Sequence, residues 1–161
     1  MKQTGIALFS TLIVIGVILP VFGDLRALPV PDLVGNAEYI VIAQVEENSP
    51  IKDPPDEQPN QKNVLKVEKV LKGSIKEADE LTFLTFKPPE GVFLEDNLSF
   101  PEKGNKVIAF LKKDPDGRFF PVNGIQGIWP IDPETGKPYR MGSGYSLSDI
   151  EKSLAGEFKS K

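Results

Sequence analysis

Short runs of β-branched and aromatic residues, separated by segments rich in proline and glycine, constrain the fold of this chain more than any other feature. Such runs suit the pleated surface of a strand, and the separating residues suit turns. The pattern therefore predicts a mainly β domain. Its predicted strands are Ala37–Glu46, Val64–Lys72, Leu81–Phe86, Lys106–Leu111, Arg118–Val122 and Gly127–Ile131.

The second of these strands changes its apolar phase part-way along. Leu65 and Val67 share one face by the two-residue period of a strand, whereas Val70 falls out of step with them. We expect a β-bulge there, because a bulge bends a strand around a barrel. Two later segments, Asp114–Gly117 and Asp132–Gly136, combine an early proline with a glycine that tolerates positive φ, and both predict tight turns.

The remaining segments are interpreted from their prolines and their periodicity. Ala27–Asp32 is expected to be an extended lead-in, and the proline-rich Asn48–Asn63 a long mobile loop. Near the carboxyl end, a capping-box-like Ser146 precedes apolar residues at helical spacing. This predicts a short amphipathic α-helix at about residues 146–155.

The amino-terminal segment carries Lys2 and then an uncharged apolar run from Gly5 to Gly23. We interpret residues 1–23 as a secretory signal peptide that is removed before Asp24, leaving a single domain of residues 24–161. The expected location is extracellular or in the cell envelope. Because the run approaches the roughly 20 apolar residues that span a bilayer, an uncleaved membrane anchor is the alternative.

Composition excludes several classes of chemistry. The 161 residues include neither cysteine nor histidine, so disulfides, zinc clusters and histidine- or cysteine-based catalysis are ruled out. The formal net charge of the chain is −4, and loss of the segment with Lys2 leaves 18 basic against 23 acidic groups, or −5. A field of this sign does not attract phosphate backbones, so no nucleic-acid partner is expected. No cofactor is expected either.

The order of these elements resembles the OB-fold of the tissue inhibitors of metalloproteinases and netrin-like domains. The similar segments are Ala37–Val45, Val64–Gly73, Val107–Leu111 and the run from Asp116 through Trp129 into a helix. The resemblance implies a small five-stranded OB-like barrel with a short C-terminal α-helix. Inhibitors of that family bind the target zinc through an N-terminal cysteine, which this chain lacks. The resemblance therefore implies the fold and not metalloproteinase inhibition.

Three residues are candidates for contact with a partner: Phe93, Leu94 and Trp129. The first two lie in the Lys87–Asn105 connection, whose apolar residues either plug the open end of the barrel or contact a partner. Trp129 is either a core residue or a binding anchor. No catalytic residue and no metal ligand is predicted, because the paired carboxylates lie in turns that proline and glycine already explain.

The sequence thus favours an exported, non-enzymatic binding or inhibitor-like module. We expect it to recognise a protein of the envelope or extracellular space through one end of the barrel, formed by the Asn48–Asn63 loop and the Lys87–Asn105 connection. Membrane contact is expected only if the N-terminal segment is uncleaved. Two alternatives stay open at this point. One is a carboxylate-dependent hydrolase of the cell envelope with two acids flanking the scissile bond, and the other is a membrane-anchored structural subunit.

Overall fold

A computed structural model describes residues 26–55, 58–92, 94 and 96–158 of the chain. The predicted signal peptide therefore lies outside the described residues. The mainly β prediction is confirmed, since the described residues form six antiparallel strands and two α-helices. In chain order the elements are α1 (Val30–Asn36), β1 (Tyr39–Pro50), β2 (Gln61–Lys72), β3 (Glu80–Thr85), β4 (Lys106–Lys113), β5 (Phe119–Pro121), β6 (Ile128–Ile131) and α2 (Leu147–Leu154), with short 3-10 turns at Gly124–Gly127 and Arg140–Gly142.

The strands are ordered β3-β2-β1-β4-β5, and β6 also pairs with β4. β6 lies opposite the first half of β4, residues 106–109, and β5 lies opposite residues 111–113. One side of the sheet thus ends at β3 and the other at β5 and β6. No strand pairing joins these sides within the described part of the chain. The sheet is therefore not closed by backbone hydrogen bonds, and the predicted barrel is not seen as such.

The predicted bulge in β2 is confirmed. Val41 of β1 lies opposite Val70, but its neighbour Ile40 lies opposite Lys72, so Leu71 is an extra residue in β2. A second shift near Glu68 separates Val67 from Val70 in phase. Both shifts coil β2 around β1, as bulges do.

The bent sheet buries side chains on both of its faces. Val41, Val107 and Leu111 belong to one apolar cluster inside the sheet, together with Leu65 and Phe83. Alternate residues of β1 and β4 form a second cluster on the other face, beneath the two helices; its members include Ile40, Ile108, Phe110, Leu33, Trp129 and Ile150. This explains why β1 and β4 are apolar at nearly every position.

Helix α1 corrects the expectation of an extended lead-in at Ala27–Asp32. Pro31 lies in the first helical turn, where proline costs no hydrogen bond, and Leu33 and Val34 are buried. At the other end of α1, the Lys72 ammonium donates to the carbonyl of Val34 over 2.8 Å. The lysine thereby satisfies a carbonyl that the short helix leaves unpaired.

The Asn48–Asn63 loop is also shorter than predicted. β1 continues to Pro50 and β2 begins at Gln61, so only residues 51–60 connect them. Pairing extends into this segment because Asn48 lies opposite Asn63 and Pro50 opposite Gln61 at the end of the ladder. A proline at a strand end removes no hydrogen bond that the ladder needs.

The predicted turns and the C-terminal helix are confirmed. The Gly117 N–H donates to the carbonyl of Asp114 over 2.9 Å, and the Gly136 N–H donates to the carbonyl of Asp132 over 2.8 Å; both glycines have positive φ. Helix α2 begins after Ser146, which forms a capping box with Asp149. Ile150 of this helix is fully buried. None of the helices within the described ranges is long and apolar enough to cross a membrane.

Candidate binding site at one end of the sheet

A pocket of about 430 Å³ opens where β1, β2 and β3 meet the connection between β3 and β4. This is the sheet end that the sequence predicts to carry the recognition surface. The pocket has a floor of polar side chains from the three strands and walls from the connection. We call it the end pocket.

The floor is formed by Gln61, Asn63 and Thr85, with Asn48 at its edge. Gln61 and Asn63 follow the same inward phase of β2 as Leu65 and Val67, so the inner face of the strand changes from apolar to polar towards this end. The side chains are buried: Asn63 is 1% exposed, Gln61 7% and Thr85 8%. Uncharged polar groups therefore replace the apolar core where the pocket begins.

Hydrogen bonds link these side chains across the strands. Asn63 Nδ2 donates to Thr85 Oγ1 over 2.9 Å. Gln61 Nε2 donates to Asn48 Oδ1, and Asn48 Nδ2 donates to the carbonyl of Pro101 at 3.5 Å. A carboxamide can donate two hydrogen bonds and accept two. Within the described structure, the side-chain amides of Gln61 and Asn63 thus hold the ends of the three strands together.

The walls of the end pocket are formed by the connection between β3 and β4. The apolar residues of this connection fall into two groups. Phe100 is only 7% exposed and belongs to the apolar cluster inside the sheet that contains Val41 and Leu111. Leu98 also packs against this cluster. Val92 and Leu94 are 48% and 42% exposed and line the mouth of the pocket. The plug interpretation thus fits Phe100, and the contact interpretation fits Leu94. Phe93 lies outside the described residues.

The mouth is fixed by a reciprocal pair of hydrogen bonds between the two loops. Asn60 Nδ2 donates to the carbonyl of Lys87 over 2.9 Å, and the Lys87 amide donates back to Asn60 Oδ1 over 2.6 Å. The loop between β1 and β2 is therefore tied to the start of the connection. Both loops that the sequence assigns to the recognition surface meet at this pair.

Leu94 also lines a second pocket of about 400 Å³ on the other side of the connection. Its walls include Ile125, Met141 and Arg140, whose guanidinium donates to Ser99 Oγ over 3.2 Å. Met141 is 36% exposed. Apolar surface thus continues from the mouth of the end pocket across Leu94 to Met141.

Trp129, the third candidate, lies in the core and not in the end pocket. It is 0% exposed, with its ring 4.8 Å from that of Phe110 and stacked at 5.6 Å on Tyr145. A Cβ atom at Gly142 would lie 2.8 Å from the indole, so the glycine permits this packing. Nε1 has no hydrogen-bond partner among the described residues. This packing favours the core interpretation over the binding anchor.

Among the described residues, each acidic group with a shifted pKa is stabilised as the carboxylate. Hydrogen bonding to Lys62 and Ser49 lowers the pKa of Glu47, and the backbone N–H groups of the turns lower the pKa of Asp114 and Asp132, through Arg118 and Thr135 respectively. A general acid needs the opposite shift. Within the described ranges, no group of three or more acidic, histidine or cysteine side chains is arranged to hold a metal ion.

Sequence reasoning missed the polar floor. Polar residues in a strand are usually solvated, and the prolines before Asn63 predict that it ends a loop. The available signal was the inward phase of β2, which places residues 61 and 63 on the same side as 65 and 67.

No protein-family model matches the chain. No curated protein and no solved structure matches it either. The resemblance to the tissue inhibitors of metalloproteinases and netrin-like domains therefore stays a prediction.

Proposed function

We propose that the chain is an exported, non-enzymatic binding module. It is inhibitor-like, because it acts by binding to a protein partner. The surface that contacts the partner is the end of the sheet around the end pocket. The observation that carries this proposal is the association of a pocket of about 430 Å³ with exposed apolar residues, Val92 and Leu94, at its mouth. Protein interfaces combine such apolar anchors with nearby polar groups.

The strand order supports an OB-like barrel as the scaffold of this module. In that fold, loops at the ends of the strands form the binding surface. Here β3 and β5 are the two ends of the hydrogen-bonded path, and a few of their residues approach each other across the open side of the sheet. The loop between β1 and β2 and the connection between β3 and β4 meet at one end of this sheet, which is consistent with the proposed surface.

A protein partner is favoured over a nucleic acid because the chain is acidic overall, with a net charge of −4. The carboxylate-dependent hydrolase has less support. Glycoside hydrolysis needs two carboxyl groups on either side of the bond, one with a raised pKa. Among the described residues, Glu102 is the acidic residue that lines the end pocket, and the shifted carboxyl groups of the fold are shifted downward.

Partner capture by full-length protein tests the proposal. The bait is compared with a Leu94→Asp variant and with Leu154→Asp, a matched change at an exposed leucine of α2 that lines none of the pockets described above. We expect the same protein to be recovered with wild type and Leu154→Asp, and at least tenfold less with Leu94→Asp. Equal recovery with both variants, at equal melting temperatures, would place the contact elsewhere.

A further inference from the structure

An asparagine-linked glycosylation motif lies in the connection between β3 and β4. Asn97 is followed by Leu98 and Ser99, which is the Asn-x-Ser/Thr pattern with a residue other than proline in the middle. No other asparagine of the chain has serine or threonine two positions after it. In the sequence, Glu95 precedes Asn97 by two positions. Bacterial transferases require an acidic residue at that position, so the pattern satisfies the stricter motif as well as the general one.

The motif lies in a surface segment without regular secondary structure. Residues 97–100 belong to no helix or strand, and Asp96, with φ +58°, turns the chain just before them. Leu98 packs against the apolar cluster inside the sheet, whereas Ser99 is exposed. Acceptor motifs occur in such loops, because the transferase must bind the asparagine side chain and the hydroxyl at the same time.

The side-chain nitrogen of Asn97 has no role in holding the described fold together. Among the described residues, the Asn97 side chain forms no hydrogen bond. Other asparagine side chains donate to neighbouring groups through the same nitrogen, namely those of Asn48, Asn60, Asn63, Asn105 and Asn123. A sugar attached to one of those nitrogens would disturb a native hydrogen bond. At Asn97 it would disturb none of those described.

Open space borders Asn97 on two sides. Asn97 is half-buried and lines both the end pocket, of about 430 Å³, and the second pocket, of about 400 Å³. The first sugar of an attached glycan would extend from Asn97 into this space, beside Leu94, which lines both pockets as well. The glycan would therefore adjoin the surface that the proposed function assigns to the partner.

We propose that Asn97 is an N-linked glycosylation site of the exported chain. In the reaction, Asn97 Nδ2 attacks C1 of an oligosaccharide that is carried on a lipid pyrophosphate. The N–C1 bond forms, the bond from C1 to the phosphate oxygen breaks, and its electron pair leaves with the lipid pyrophosphate. A carboxylate of the transferase accepts the proton that the amide loses. This inference rests on the export in the proposed function, because such transferases act on chains that cross a membrane.

Intact-mass measurement and peptide mapping of the natively exported protein test the inference. We expect the added mass of an oligosaccharide, located on the peptide that contains Asn97. Variants expressed in the same organism show whether the motif directs the modification. Asn97→Gln and Ser99→Ala should lose the whole added mass, whereas Ser99→Thr should keep it, because threonine also supplies the hydroxyl. Asn36→Gln is the matched control and should keep the added mass, since Asn36 is exposed and lies outside the motif.

An unmodified Asn97 in the exported wild-type protein, or an added mass that persists in both Asn97→Gln and Ser99→Ala, would overturn the inference. The proposed function fails separately. A chain that begins at Asp24 without added mass would leave export in place and remove only the glycan. Equal partner capture by Leu94→Asp and Leu154→Asp, with the glycan present on Asn97, would contradict the binding surface and leave the glycosylation site in place.

Discussion

The rings of Phe83 and Phe100 pack at a centroid distance of 5.2 Å and join the long connection to the inner face of β3. Phe100 is 7% exposed, although it belongs to a segment with no regular secondary structure. This contact anchors one wall of the end pocket to the core. Leu94 of the same connection is 42% exposed, so the connection contains both a core residue and a surface residue.

Phe100→Ala should lower the free energy of unfolding by about 3 to 5 kcal/mol, because it removes a buried aromatic ring and leaves a cavity. Phe120→Ala is the control, since Phe120 is 41% exposed. Urea unfolding measures both changes. A wild-type unfolding midpoint for Phe100→Ala would show that the connection does not close the core.

Gly142→Ala should destabilise the protein by about 1 to 3 kcal/mol through overpacking. The new Cβ would lie 2.7 Å from Pro138 and 2.8 Å from the Trp129 indole. Gly35→Ala in α1 is the matched control, because nothing lies within 4 Å of its new Cβ. In that helix, alanine should be neutral or stabilising by about 0.5 to 1 kcal/mol. The fluorescence of the single tryptophan reports unfolding in both variants; equal midpoints would contradict the packing of Trp129.

The turn at Asp132 should contribute a pH-dependent part of the stability. Its carboxylate accepts hydrogen bonds from the backbone N–H and the hydroxyl of Thr135, which lower its pKa. A group with a lowered folded-state pKa stabilises the protein above its unfolded value of about 3.9, and this contribution disappears as the pH falls through the folded value.

Asp132→Asn should therefore show a smaller fall in melting temperature than wild type on acidification below about pH 4, because asparagine keeps the acceptor without the titration. Glu134→Gln in the same turn should follow the wild-type profile, since the contact of Glu134 with Asp132 is through its backbone N–H. Parallel profiles for wild type and Asp132→Asn would contradict the assigned role of the carboxylate.

If the chain is exported through a cleaved signal peptide, the mature protein should lack its N-terminal residues. If residues 1–23 are a signal peptide, intact-mass measurement of the natively exported protein should show a chain that begins at Asp24. Recovery of the full-length chain in the membrane fraction would support the anchor in its place.

Local sequence patterns predicted much of the fold, because strand and turn preferences act over a few residues. The bulge near Val70, the Asp114–Gly117 turn and the C-terminal helix are examples. The sequence does not predict helix α1, because its prolines indicate an extended chain. Its buried face is defined only by packing on the second apolar cluster, which contains the distant Trp129. The end pocket was only partly predicted. Its loops were identified, but the burial of Asn63 depends on contacts across three strands and the connection.

The most direct test of the account is site-specific photo-crosslinking of full-length protein in its native envelope or extracellular fraction. A photoreactive phenylalanine analogue replaces Leu94 at the mouth of the end pocket, Leu154 on α2 or Phe120 on β5, all exposed positions. The account predicts one protein adduct from position 94 that is absent from the other two positions. Adducts of equal yield from all three positions, or an adduct from 154 or 120 alone, would contradict recognition at this end of the sheet.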